Sequence, residues 1–376
     1  MYTHPTLIRS GLRRGNMFTP IGIQYALAWG VALASGTAMA SCELVERSGL
    51  IQSTLALRAV QITVGRDIAV GTEVYRQVFN LAGNPAIRCA PGVDDISVRR
   101  SVETPAAAIP GYQTRAGGSV YPTNLAGIGV QILDADNRPF PSIARSANCP
   151  GSEGCVLRNQ GLDKFTLSFI KVSANVEAGA ISSATLPTVL IGYDIRGQQL
   201  PVRKVRLSGL LRVASQTCRT PHVQVNLGRH PISEFEHLGY TPWQDFGIAL
   251  NQCPGFHGYY SAGAVGGEPG VVLNPNKVAF RIDPTQPAVS NEEGILSLTP
   301  GLQGAVKAAQ GIGVQIAQEN AQPIKLSTSL DSGLSLQSNE GGSYLIRLKA
   351  RYIKQANAVA QSGPANATVT FTINYQ

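Results

Sequence analysis

The most regular pattern in the chain lies at its end. Across residues 363–376 the odd positions Ala365, Ala367, Val369, Phe371, Ile373 and Tyr375 are apolar, and the even positions between them are Asn or Thr, with Gln376 last. A period of two puts alternate side chains on opposite faces, so the pattern predicts a strand with one buried and one wet face. Runs rich in Val, Ile and Leu at residues 59–64, 127–133, 165–172 and 204–213 predict further strands. Turn chemistry separates them at Gly83-Asn84-Pro85, at Asp134-Ala135-Asp136-Asn137-Arg138-Pro139 and at Cys149-Pro150-Gly151-Ser152-Glu153-Gly154-Cys155. The expected fold class is all-β.

The terminal strand raises a question of cover. An apolar, proline-free edge over residues 365–375, with no later strand to pair with it, is a template for strand addition. A segment from another chain is expected to lie along it.

Composition fits two β-domains rather than one. The 376 residues are 43% apolar, enough for two cores, and only 14% charged, with plentiful glycine and proline. Residues 1–40 combine Arg9, Arg13 and Arg14 with no acidic residue, an apolar stretch over 21–34, and then Ala38-Met39-Ala40. This is the layout of a secretory signal cut before Ser41, with Met17 as an internal start. The apolar stretch is shorter than the roughly 20 residues of a spanning helix. A lipoprotein cut before Cys42 would want a leucine three places earlier, where Met39 stands.

Export makes the six cysteines candidates for three disulfides. Many pairings are open; the one that closes each loop within one domain joins Cys42 to Cys89, Cys149 to Cys155 and Cys218 to Cys253. Zinc at Cys149 and Cys155 would need two more ligands, and neither a second close pair nor a histidine is near in sequence. Asp134-Ala135-Asp136-Asn137 lacks the glycine and distal glutamate of a calcium loop and reads as a hairpin turn. No metal or cofactor is expected.

Charge is uneven. Residues 42–217 hold 18 Lys and Arg against 13 Asp and Glu, whereas residues 218–376 hold 10 of each. Part of the excess is concentrated at Arg196, Arg203, Lys204, Arg206 and Arg212, interleaved with Val202, Val205 and Leu207. Strict alternation puts Arg203 on the opposite face from Lys204 and Arg206. Such a cluster protects a strand edge from aggregation, or attracts an anionic partner such as a sulfated glycan. An exported chain gives no reason to expect nucleic acid.

The C-terminal sequence resembles the pilin domains of chaperone-usher fimbriae, which carry a glycine fourteen residues from the end, alternating apolar residues and a penultimate tyrosine; Gly363 and Tyr375 stand at those places. The resemblance extends over Cys218 with Val223, Val225 and Leu227, over Cys253, Gly258-Tyr259-Tyr260, and Gly311-Ile312-Gly313-Val314-Gln315-Ile316. It implies an immunoglobulin-like sandwich lacking its last strand, with Gly363, Ala365, Ala367, Val369, Phe371, Ile373 and Tyr375 lining a groove. A periplasmic pilus chaperone, an outer-membrane usher and the donor strand of an adjacent subunit are the implied partners. Residues 41–213 form a whole domain where a fimbrial subunit would carry a donor segment, with 214–217 as linker and 218–376 as pilin domain. That arrangement implies the fibre tip at the cell surface.

In the first domain, Pro110-Gly111-Tyr112, Val120-Tyr121-Pro122-Thr123-Asn124, Gly127-Ile128-Gly129-Val130, Phe165-Thr166-Leu167, Ile170-Lys171, and Val64-Gly65-Arg66 with Val70-Gly71-Thr72 resemble the collagen-binding tip adhesins of type 3 fimbriae. The Cys149 to Cys155 loop departs from that pattern. The implied ligand is a collagen-like matrix protein, and the charge pattern offers an anionic glycan as the other. Tyr112, Arg115, Tyr121 and Asn124 are candidate contacts, because aromatic and amide groups near glycine-rich loops suit sugars and peptide groups. Arg203, Lys204 and Arg206 are the basic candidates.

Catalysis is not expected. Gly258-Tyr259-Tyr260-Ser261-Ala262-Gly263 has one residue too many before the serine for a nucleophile elbow. Residues 263–270 are glycine-rich with no amphipathic helix after them, and His222, His230, His237 and His257 are scattered among turn residues. An exported hydrolase centred on Ser261 is the remote alternative; a fibre-initiating subunit without a receptor is the nearer one.

Overall fold

A computed structural model describes residues 42–45, 49–104, 106–114, 117–149, 152–158, 162–215, 217–265, 268–300 and 307–376. The expected signal over 1–40, and Arg115, lie outside the described residues. The described residues fall in one compact unit, Ala40–Gln376, and form an all-β fold with two large cores and a small third cluster around Phe235.

The first half contains β1 (Cys42–Leu44), β2 (Ile51–Ala56), β3 (Gln61–Thr63), β4 (Glu73–Asn80), β5 (Ala86–Cys89), β6 (Ile96–Glu103), β7 (Tyr121–Pro122), β8 (Ile128–Leu133), β9 (Ser142–Ala147), β10 (Cys155–Arg158), β11 (Lys164–Lys171), β12 (Gly179–Ser182), β13 (Thr188–Ile195), β14 (Gln198–Ser208) and β15 (Leu210–Ala214). One sheet runs β2-β14-β13-β6-β9 and another β4-β11-β8-β7. Val189, Ile191, Tyr193 and Val205 of the first meet Tyr75, Phe79, Phe165, Leu167 and Val130 of the second in one core, which makes a sandwich. Small sheets β1-β5-β10 and β12-β15-β3 complete this half.

Burial explains why some of these strands do not alternate. Nearly every residue of β8 and β11 is buried, because the segment leading into β7 covers the face that would otherwise be wet. Gln131 on β8 donates from Nε2 to the Gly117 carbonyl at 2.7 Å and accepts from the Thr114 hydroxyl at 3.2 Å. The expected strand over 204–213 is two strands, parted at Gly209, whose φ of +89° suits glycine.

The second half contains a short helix α1 (Ile232–His237), then β16 (Gln244–Cys253), β17 (Tyr259–Val265), β18 (Glu268–Asn274), β19 (Val278–Pro284), β20 (Ile295–Leu296), β21 (Ile312–Gln318), β22 (Leu330–Asp331), β23 (Gly342–Lys354) and β24 (Val369–Tyr375). Sheet β16-β23-β21-β20 faces sheet β22-β19-β24. Ile248, Leu250, Ile316, Ile346 and Leu348 of one pack with Phe280, Ile282, Ile373 and Tyr375 of the other.

The halves touch through more than residues 214–217. The β17–β18 hairpin leaves the second sandwich and lays Tyr259 and Tyr260 against the first core. The Tyr260 ring meets Tyr75 edge-on with centroids 6.1 Å apart. Thr63, at the end of β3, donates from Oγ1 to the Gly255 carbonyl at 2.6 Å and from its amide to the Gly258 carbonyl at 2.9 Å.

Candidate functional site

The site is one edge of β24. Lys277 and Gln376 exchange both backbone hydrogen bonds, and the antiparallel register pairs Ala279 with Asn374, Arg281 with Thr372 and Asp283 with Thr370. Hydrogen-bonded pairs alternate in such a ladder. The even residues of β24 therefore direct their N–H and C=O groups at β19, and Val369, Phe371, Ile373 and Tyr375 direct theirs outward. β24 is the last strand of its sheet, and among the described residues no backbone group pairs with Val369 or Phe371 on the outer side.

The same odd residues point their side chains at the core. Ile373 and Tyr375 are buried, while Ala367, Val369 and Phe371 are only half-buried against the second core. The half-buried Val223, Val225 and Leu227 alternate with exposed Gln224 and Asn226 and pack on that core too. This extended segment starts at Cys218, which is disulfide-bonded to Cys253, and Arg219 is bridged to Asn251 of β16. The result is an apolar face of incomplete burial beside a strand with an unpaired edge. Burial raises the Tyr375 hydroxyl pKa above its usual value.

Gly363 starts the terminal segment because no side chain fits there: a Cβ would overlap the backbone of Lys307 and Ala309. Ala309 then donates to the Pro364 carbonyl at 3.0 Å, Thr299 to that of Asn366 at 2.7 Å, and the Tyr352 hydroxyl to that of Ala365 at 3.0 Å. These bonds aim the chain along the sandwich before β24 begins.

At its far end the open edge meets the first half. The Asp67 amide donates to the Tyr375 carbonyl at 3.1 Å, the Tyr375 amide donates to Asp67 Oδ2 at 2.8 Å, and Arg66 donates to the Ile373 carbonyl at 3.3 Å. Behind this loop Lys171, 0% exposed, donates from Nζ to the carbonyls of Arg66 at 2.5 Å and Gly65 at 3.2 Å. Burial lowers its pKa. Nothing in the sequence singled out Asp67; only contact between distant segments reveals it.

The candidate ligand residues of the first half do not form one exposed patch. Tyr112 is half-buried and its hydroxyl donates to the Lys171 carbonyl at 3.1 Å. Tyr121 is 8% exposed and packs in the first core, so its ring is not offered to a ligand. Asn124 is exposed, but its side chain is engaged by Ala180, Ser182 and Thr185. Arg203 is corrected from a surface cation to a buried one, 2% exposed, donating to the carbonyls of Ala82 and Gly83, each at 2.7 Å.

The cause is a bulge: Ile191 pairs with Arg203 but Gly192 pairs with Pro201. The extra residue, Val202, leaves Arg203 pointing inward beside Val205 and Leu207. Lys204, in an ion pair with Glu103 at 2.7 Å, and the exposed Arg206 and Arg212 remain on the outer face. Arg196 is exposed and paired with Asp94. The structure joins Cys42 to Cys89 and Cys149 to Cys155, which ties β1 to the end of β5 and β10 to the segment after β9. Ser261 lies on the β17–β18 hairpin, its hydroxyl accepting from Asn274 at 2.9 Å.

Residues 206–376 match the family model for fimbrial proteins. The C-terminal half is similar to fimbrial proteins. No curated protein matches the chain. Among solved structures, the CupB6 tip adhesin from Pseudomonas aeruginosa is 16% identical with a TM-score of 0.33, over 89% of this chain and 94% of that one. The receptor-binding domain of the plasmid-borne adhesin MrkD1P of Klebsiella pneumoniae is 18% identical with a TM-score of 0.30, over 48% of this chain and 98% of that one. The P pilus rod subunit PapA is 13% identical with a TM-score of 0.30, over 43% and 100%.

Proposed function

We propose that this chain is a subunit of a chaperone-usher fimbria, a tip adhesin whose second half accepts a strand along β24 and whose first half meets a receptor. The observation that carries the reading is the unpaired edge of Val369 and Phe371 above a half-buried apolar row, within the residues that match fimbrial proteins. Strand addition would satisfy the open backbone groups and bury Val369 and Phe371 in one step. A periplasmic chaperone, the outer-membrane usher and a neighbouring subunit are the partners this reading requires, and the fibre tip at the cell surface is its location. The residues left for receptor contact are Tyr112 and the basic group Lys204, Arg206 and Arg212, for a collagen-like protein or an anionic glycan respectively.

The test is co-expression of the full chain with a periplasmic pilus chaperone, followed by binding of the purified complex to immobilised collagens and heparin at low and high salt. Co-purification that is lost on deleting residues 369–376 supports the assembly reading; a chain that is soluble and monomeric without the chaperone refutes it. Collagen binding that survives salt supports the matrix ligand, and salt-sensitive heparin binding supports the glycan. A folded complex that binds neither leaves the fibre-initiating role, which the burial of Tyr121 and Arg203 favours.

A further inference from the structure

We propose that the Gly65–Asp67 loop is a built-in stop that fixes how far an added strand can run along β24. The inference rests on the strand-addition reading and specifies its register. Asp67 offers Tyr375 what a neighbouring strand would offer, a donor for its carbonyl and an acceptor for its amide. Arg66 takes the Ile373 carbonyl. The last rung of the open edge is thus filled from within the same chain.

Two features make the loop a fitted part rather than a chance contact. A Cβ on Gly65 would overlap the Tyr375 carbonyl, so only glycine lets the loop come this close. Lys171 grips the loop from the opposite side through two carbonyls while wholly buried, and a buried ammonium without such acceptors would be strongly unfavourable. Asn276 adds a third tie, donating to the Thr63 carbonyl at 3.0 Å and to the Gln376 carbonyl at 3.3 Å. A strand reaching Tyr375 must displace this assembly; a strand ending opposite Ile373 need displace only Arg66 from the Ile373 carbonyl. The fitting partner is a short extended segment with apolar residues opposite Val369 and Phe371 and no backbone beyond Ile373.

The test uses the full exported chain, residues 41–376, and amide hydrogen exchange. Without added strand, the Tyr375 amide should be protected, lose that protection in Asp67→Ala and keep it in Asp67→Asn, which retains an acceptor. Protection unchanged in Asp67→Ala overturns the stop. Two synthetic peptides of alternating valine and threonine are then added, one ending opposite Ile373 and one extended past Tyr375. Both should protect Phe371 and Ile373, and in the unmodified chain their affinities should be equal. In Asp67→Ala the longer peptide should gain about fivefold, the equivalent of one hydrogen bond. A longer peptide that already gains in the unmodified chain overturns the proposal. If neither peptide protects Phe371 or Ile373, strand addition itself fails and the stop with it, a result distinct from a failure of Asp67 alone.

Discussion

The hydroxyl of Tyr112 donates to the backbone carbonyl of Lys171 at 3.1 Å, and the Lys171 ammonium in turn holds the carbonyls of Gly65 and Arg66. A tyrosine whose half-exposed ring is left for a ligand is therefore also part of the framework behind the contact between the halves. Tyr112→Phe removes one hydrogen bond and keeps the ring, so stability should fall by about 1 kcal/mol. Lys171→Met takes the ammonium from both carbonyls, leaving that of Gly65 with only the Ile68 amide at 3.3 Å, and should cost about 1–3 kcal/mol. Denaturant titration of the full chain checks both, and equal stability of Lys171→Met to the parent would contradict the assignment.

Arg203 and Arg206 are three residues apart on β14 and should respond in opposite ways. Arg203→Ala leaves the Ala82 and Gly83 carbonyls unpaired and a cavity beneath β14, so a loss of about 2–4 kcal/mol is expected. Arg206→Ala, on the exposed face, should change stability by less than about 0.5 kcal/mol while weakening any salt-sensitive binding to heparin. Melting curves and heparin retention of the two variants separate the roles.

These two arginines also mark the limit of the sequence. Alternation over 365–375, the division into strand-bearing halves and the apolar runs at 127–133 and 165–172 were all legible, because burial of a sheet face writes itself into local periodicity. Alternation sets Arg203 opposite Lys204 and Arg206, but not which of those faces is inward, because the extra residue at Val202 breaks the phase between residues 198–201 and 203–208. The parallel pairings of β2 with β14 and β3 with β15, and the reach of the β17–β18 hairpin across to Tyr75, are long-range and leave no periodic trace. The open edge of β24 was legible as a strand, whereas Asp67 filling its last rung was not.

Alkali should loosen the domain contact through Tyr75. Burial raises its pKa from the ordinary 10.0 to about 12. The folded chain thus keeps a proton that the unfolded chain releases first, so this contribution to stability is complete below pH 10 and is lost as pH rises towards 12. Its size is on the order of 2 kcal/mol. Unfolding titrations on either side of this window should show the loss, and Tyr75→Phe should flatten it. A parent chain with the same pH slope as Tyr75→Phe would rule out Tyr75 as the source.

Gly363 offers the sharpest mutational test of how the terminal segment is aimed. A Cβ there would meet backbone atoms of Lys307 and Ala309 rather than flexible side chains, so the strain cannot be relieved by a rotamer change. Gly363→Ala must push the segment away from Ala309 and weaken the bond to the Pro364 carbonyl, tilting β24 against β19. Overpacking of this kind costs about 1–3 kcal/mol, and the half-buried row of Val369 and Phe371 would lose its alignment with the core. In the co-expression test above, little Gly363→Ala should be recovered in complex with the chaperone. Val369→Thr, which keeps the shape of the row but weakens its apolar contact, should instead fold with its edge intact and bind an added strand several-fold more weakly. If Gly363→Ala is captured as well as the parent, the backbone contact at Ala309 does not direct the strand.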